Sequence, residues 1–312
     1  MTTSIQQAKI FSSHTLENLR EILSGANDDD YTIVAGGSLA RFEASPESDF
    51  DHYIFGKDKA AIDRAVAFLK GKEEQILALN LRPPSEGGVF GAVGETHDDL
   101  LSNIGGVSDP NDKMTRRILF LLEGEWLSGK DKFSKYRNDV IVRYTPDHIR
   151  DEKSCRFLLN DIIRYYRTIC VDFEYKTTED SKPWGIRYIK LRFSRKLLYF
   201  GGIIAVAETV GHRREKKIER LIELLELPTI ERVSSIFGSK SEPAIELYDK
   251  FLQQMSQKEF REQLKTVNAN PETHIADFKT LRELSSKFTD ELATLLRDHY
   301  GPSHPIHRAL IF

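Results

Sequence analysis

The stretch Gly37-Ser38-Leu39-Ala40-Arg41-Phe42-Glu43-Ala44-Ser45-Pro46-Glu47-Ser48-Asp49-Phe50-Asp51 holds the residues best suited to chemistry. A glycine-serine pair at the end of an apolar run offers backbone N–H groups and a hydroxyl to a polyphosphate, because glycine lets an anion come close to the chain. Asp49 and Asp51 stand two residues apart at the start of the next apolar run. In an extended chain that spacing points both carboxylates to one face, where they can share a hard divalent cation such as magnesium or manganese. Metal ions held there could activate an attacking hydroxyl and neutralise phosphate charge during in-line displacement at phosphorus. Aspartates spaced this way are also common in turns; the glycine-serine step before them, with Arg41 and Glu43 at fixed offsets, is what raises the pair above an acidic hairpin end.

The string G-S-x-x-R-x-E-x-x-P-x-S-D-x-D resembles the nucleotidyltransferases of the DNA polymerase β superfamily. It is similar in particular to the group that contains the PII-modifying uridylyltransferase and the glutamine synthetase adenylyltransferase, and looks closer still to related bacterial nucleotidyltransferases linked to CBS and cyclic-nucleotide-binding modules. Two later pieces extend the resemblance over roughly residues 30 to 200. One is Pro84-Ser85-Glu86-Gly87-Gly88-Val89-Phe90; the other is Asn160 to Thr168 followed by Trp184-Gly185-Ile186-Arg187-Tyr188-Ile189-Lys190. The resemblance implies that Gly37 and Ser38 bind the β- and γ-phosphates and that Asp49 and Asp51 are catalytic and hold magnesium. It also implies that Arg187 and Lys190 of a helical domain face the nucleotide, while Arg41 pins the loop or reaches the phosphates. The superfamily usually adds a third carboxylate from a later strand. Glu86 is the preferred candidate here, Glu95 the next, with Asp109 and Asp112 behind them.

Further along, Arg187, Lys190, Arg192, Arg195 and Lys196 form a run of cations without an acid, while Ile186, Ile189, Phe193, Leu197, Phe200 and Ile204 recur at helical spacing. A solvated basic face and an anion-binding face are equally good readings of that helix. Asp161, Arg164, Thr168 and Asp172 share a helical face, where intrahelical pairing is the simpler explanation. Tyr165, Tyr166 and Trp184 are aromatic residues that either stack on a base or fill a core. Nine histidines occur, but none has the spacing of a metal-binding motif.

The elements expected to position these residues change character along the chain. A short helix capped by Thr15 is followed by a buried strand at Tyr31–Ala35, a second strand at Phe50–Phe55, and a helix at Lys57–Leu79 with a break at Gly71. A third, glycine-rich strand is expected over Gly87–Val93. Beyond Asp112, apart from a doubtful strand at Val140–Val142, the periodicity is helical: Met114–Leu127, Lys153–Phe173, Ile186–Val210, Lys216–Leu225, Ala244–Val267 and Phe278–His299. The expectation is an α+β fold, a small mixed-sheet nucleotidyltransferase domain at 1–148 followed by an all-α domain at 149–312 that closes over nucleotide or substrate. The boundary falls near Pro146–Asp151.

Composition bounds the partners. The 312 residues are 40% apolar, enough for a full core without disulfide or metal staples. With 45 Lys and Arg against 48 Asp and Glu, the net charge of -3 excludes a general polyanion-coating role. Two cysteines, Cys155 and Cys170, provide neither a disulfide framework nor a zinc site. The amino terminus has no signal-peptide pattern and no apolar run is long enough to span a bilayer, so a cytoplasmic protein without membrane association is expected. The function expected is transfer of NMP from an NTP to an acceptor hydroxyl, with a protein acceptor favoured and an RNA or small-molecule acceptor as the alternative. A nucleotide-binding regulator without transfer activity is the rival from another class.

Overall fold

The computed structural model describes residues 3–26, 30–84, 89–91 and 93–311, and the chain divides into two compact units, Met1–His148 and Ile149–Phe312. The first unit runs α1 (Ser4–Ile22), β1 (Tyr31–Ala35), α2 (Gly37–Ala40), β2 (His52–Gly56), α3 (Lys59–Gly71), α4 (Glu73–Leu77), β3 (Gly94–Thr96), α5 (His97–Leu101), α6 (Asn111–Leu122), β4 (Glu125–Ser128) and α7 (Lys130–Tyr144). The strand order is β3-β2-β1-β4, with β1 antiparallel to both β2 and β4, and β2 parallel to β3. The fold of the chain is therefore mixed, largely helical with one small four-stranded sheet, consistent with an α+β reading.

Both faces of the central strands are buried. Tyr31, Ile33 and Ala35 of β1 join Phe50 and Ile54, opposite Ile33 in register, in a core with Leu16, Leu19 and Leu23 from α1 and its end and Ala61, Ala65 and Leu69 of α3. Strand alternation turns Tyr53 and Phe55 the other way, where the Phe55 ring lies 4.6 Å from that of Phe120 in α6, which in turn meets Phe133 of α7 at 5.3 Å. A strand covered on both sides has no polar alternation to display, which is why β1 reads as a continuous apolar run.

Several sequence expectations change here for identifiable reasons. The first helix begins not at Thr15 but at Thr3, whose hydroxyl accepts the Gln6 N–H at 3.2 Å while the Gln6 side chain accepts the Thr3 N–H at 3.0 Å, a complete capping box. Thr15 instead donates to the Phe11 carbonyl within the helix. The expected third strand over Gly87–Val93 lies partly outside the described residues, and the strand found is Gly94–Thr96. Met114–Leu127, read as one helix, is α6 followed by β4. The apolar run conceals the break at Glu123-Gly124, where a Cβ on Gly124 would press on the Phe120 backbone. Val140–Val142 is helical in α7, because packing of its buried Val140 and Ile141 overrides β propensity.

The second unit comprises α8 (Arg156–Thr178), α9 (Trp184–Lys190), a π-helical turn at Leu191–Arg195, α10 (Lys196–Ala207), α11 (Arg214–Glu226), α12 (Thr229–Phe237), α13 (Glu242–Met255), α14 (Lys258–Thr266), α15 (Ala276–Tyr300) and α16 (Pro305–Ala309). Ala244–Val267, expected as one helix, is two. Helix α10 is buried on nearly all sides, as an apolar helix without a polar face must be, and Gly201 lets it approach Thr229 of α12. None of the described helices is long and apolar enough to cross a membrane.

One polar residue ties this unit together. Lys217 of α11 is fully buried, and its ammonium donates to the carbonyls of Asp151, Lys153 and Thr209 at 2.9, 2.7 and 2.7 Å. Its three N–H donors are thus all used, which offsets the cost of burying the charge. Lys217→Met, of similar length, leaves those carbonyls without the ammonium, and the expected cost is about 3 kcal/mol or more in urea denaturation. A change below about 1 kcal/mol would show the site to be wet or adaptable.

Candidate active site

The turn after β1 sets the geometry of the site. The Gly36 N–H donates to the Asp51 carbonyl at 2.9 Å, continuing the β1–β2 ladder by one step. Gly37 then takes φ +64°, a conformation natural to glycine, and a Cβ at that position would collide with the Asp51 carboxylate. Asp51 is thus seated against the Gly37 backbone. Ser38 follows in α2, half-buried, with no hydrogen bond to its hydroxyl among the described residues. Phe42 also has positive φ, at +60°, where the loop reverses toward Asp49.

The second limb is held from two sides. Phe50 donates its N–H to the Arg82 carbonyl at 2.7 Å, and Asp49 forms a parallel bridge with Arg82. The Arg82 side chain is ion-paired with Glu47. Ala44 donates its N–H to Ser12 of α1 at 3.0 Å, anchoring the loop between the two motifs. Since Ile54 enters the core on the α1 and α3 side, alternation in β2 places Tyr53 on the opposite face, and Asp51, one ladder step before the strand, continues that face. Asp49 and Asp51 are both half-buried, and the Asp49 carboxylate makes no hydrogen bond or ion pair among the described residues.

Beneath the turn lies a residue that the sequence reading did not single out. The Glu123 carboxylate has no exposed side-chain surface; its Oε1 accepts the Gly37 N–H at 2.9 Å and its Oε2 the Arg41 guanidinium at 2.5 Å. Arg41 also donates to Glu43 at 2.8 Å. Arg41 therefore pins the loop through a buried Glu43–Arg41–Glu123 chain. The Gly37 amide is turned to Glu123, so at the glycine-serine step the Ser38 N–H and hydroxyl are the groups not engaged by Glu123. The signal in the sequence was slight: an acid closing the apolar run Ile118–Leu122, just before a glycine.

Behind Asp51 on the same strand face, Tyr53 is fully buried and its hydroxyl has no hydrogen-bond partner among the described residues. Burial, with the Glu123 charge adding, pushes its pKa well above the usual phenol range, so it stays neutral. His52 on the other face is held below the ordinary imidazole pKa by burial and contacts the Phe50 carbonyl at 3.1 Å.

The expected third carboxylate is not among the described residues of this site. Glu86 lies outside the described residues. Glu95 stands opposite Phe55 in β3, four residues along β2 from Asp51, or about 13 Å at strand rise. There it receives Arg116, which also holds Asp112 at 2.6 Å. Asp109 is fully buried in a two-pronged pair with Arg117 at 3.0 Å. Among the described residues no group of three His, Cys, Asp or Glu is arranged to hold a metal ion. The donor set on hand is two carboxylates. That suits magnesium or manganese when substrate phosphates and water supply the other ligands, because magnesium is commonly bound in this way.

Arg187 and Lys190 belong to the second unit, in α9, both half-buried. Arg187 is held below its ordinary pKa by burial, with Asp172 and Asp180 opposing the shift, so part of its charge is already answered within that unit. No family model matches the chain, and no curated protein matches it.

Glu123→Ala removes the partner of a buried guanidinium and of the Gly37 N–H, and an expected loss of about 3–5 kcal/mol follows in chemical denaturation. Gly37→Ala adds strain at positive φ and displaces Asp51, so the expected outcome is a folded but less stable protein that loses any metal-dependent ligand binding at this turn. Wild-type stability for Glu123→Ala would show that the buried chain of ion pairs does not hold the site.

Proposed function

We propose that the chain is a metal-dependent nucleotidyltransferase that moves NMP from an NTP to an acceptor hydroxyl and releases pyrophosphate. The observation that carries the reading is the seating of Asp51 on the Gly37 turn. It brings the glycine-serine step and the aspartate pair to one end of a four-stranded sheet. Resemblance of the same residues to the DNA polymerase β superfamily gives the reaction its class.

In this reading Ser38 receives the terminal phosphates, and the absence of a side chain at Gly37 lets them lie close to the chain. Asp49 and Asp51 hold magnesium or manganese, which when bound lowers the pKa of the acceptor hydroxyl and offsets charge on the phosphates. The acceptor oxygen bonds to the α-phosphorus while the bond from that phosphorus to the bridging α–β oxygen breaks. The hydroxyl proton passes to Asp49, Asp51 or water, and pyrophosphate departs with the electron pair. Arg41, Glu43 and Glu123 do no chemistry; they hold the turn. Arg187 and Lys190 contribute to nucleotide binding as half-buried cations of the helical unit. The acceptor is a protein hydroxyl, with RNA or a small molecule as the alternative, and the site of action is the cytoplasm.

A second reading is favoured by a specific observation. With no third carboxylate among the described residues and the Gly37 amide engaged by Glu123, the site has what binding needs but less than the superfamily uses for transfer. This rival is a nucleotide-binding regulator.

The test is label transfer from each of the four α-labelled NTPs, with magnesium, to purified protein and cell extract. The transferase reading expects labelled acceptor that falls by about two orders of magnitude or more in Asp49→Asn and in Asp51→Asn. Magnesium-dependent NTP binding without transfer would establish the regulator instead. Neither binding nor transfer would sink both readings.

A further inference from the structure

The helical unit contains a second polar assembly that owes nothing to the aspartate pair. The π-helical turn Leu191–Arg195 interrupts the helix running from α9 to α10, and such single-turn expansions recur at functional sites. It presents Arg192 and then Lys196 along α15. The Arg192 guanidinium donates to the hydroxyls of Ser285 and Ser286 at 2.5 and 3.1 Å, and the Lys196 ammonium donates to Thr289 at 2.6 Å. Neither cation is in a salt bridge among the described residues, and both are half-buried.

That arrangement is unusual for two neighbouring cations. Surface lysines and arginines normally reach water or a carboxylate, and half-buried ones need a countercharge. Here they rest on neutral hydroxyls, each of which also donates to a backbone carbonyl of its own helix. Burial and the adjacent Arg192 charge lower the Lys196 pKa to about 8, with Cys170 and Asp290 opposing. Tyr166 and Cys170 of α8 lie nearby: Tyr166 stacks on Tyr199 of α10 at 4.3 Å, and the Cys170 thiol, pushed up by burial, feels the opposing charges of Arg167 and Lys196.

We propose that this face of the helical unit, where Arg192 and Lys196 meet Ser285 and Thr289, is a binding site for a phosphate group on a small ligand. A planar guanidinium beside a compact ammonium suits a tetrahedral oxyanion with several acceptor oxygens. A phosphate brings the opposite charge that the neutral hydroxyls lack, so the anion displaces the cations from their resting partners. This inference is independent of the proposed transferase activity.

Cys170 is a built-in reporter, half-buried and within electrostatic reach of Lys196, whereas the other thiol, Cys155, is fully buried. The experiment follows the rate at which a neutral maleimide alkylates Cys170 in the full chain, as inorganic phosphate is raised against chloride at equal ionic strength. The expected result is a fall of about tenfold at saturation, unchanged in Asp51→Asn and abolished in Lys196→Gln and in Arg192→Gln. Should either variant fail to fold, Lys196→Arg keeps the charge and is expected to retain most of the protection, so the wild-type curve still decides. An NTP that protects in wild type but not in Asp51→Asn, with phosphate alone giving none, would assign the anion to the first unit and overturn the proposal. Alkylation indifferent to phosphate in wild type overturns it outright.

Discussion

The Glu123 carboxylate, closed off from water between the Gly37 N–H and the Arg41 guanidinium, is the constraint on which the candidate site depends. A buried carboxylate is costly unless its oxygens are filled, and each of these two has a charged or backbone donor. Satisfying it fixes three things together: the left-handed turn at Gly37, the path of the chain through Arg41 and Glu43, and the place where α6 gives way to β4. Because the turn is held from below, Asp51 can sit against it from the β2 side. A preorganised phosphate-and-metal site needs this kind of support, since side chains that must be rearranged at each turnover give up part of the binding energy.

The same logic, buried charge matched to fixed donors or acceptors, recurs in both units with opposite results. Lys217 is saturated by three carbonyls and Arg117 by Asp109 and the Tyr144 hydroxyl at 2.8 Å, so both are closed structural devices. Arg232, also fully buried, is spent on the carbonyls that end α11. Arg192 and Lys196 differ because what they touch is neutral and replaceable. That contrast, more than the number of cations in the helix, separates a binding face from a scaffold.

Much of this was legible in the sequence where one signal was strong and local. Tyr31–Ala35 and the break near Gly71 could be read because a five-residue apolar run and a glycine have few other meanings. The two-residue spacing of Asp49 and Asp51 predicts a shared face only for extended chain, and both residues precede β2, which begins at His52. β4 was not legible: Glu125-Trp126-Leu127-Ser128 is too short to carry a pattern, and it earns its place through pairing with β1, a contact between residues almost a hundred positions apart. Glu123 was hidden for the same reason, since its partners Gly37 and Arg41 lie more than eighty residues away. Of the candidates for a third carboxylate, Glu86 lies outside the described residues, while Glu95, Asp109 and Asp112 look available in sequence, yet each is engaged by an arginine of α6.

The central claim is that the Gly37 turn and the aspartate pair form one metal–nucleotide site. It is tested most directly by paramagnetic broadening of backbone amide signals in isotope-labelled protein, titrated with manganese in the presence of an NTP. The account predicts that signals of Gly36 to Ser38 and Asp49 to His52 vanish first, and that Asp51→Asn restores them. Broadening that is absent, uniform, or centred elsewhere in the chain would contradict it.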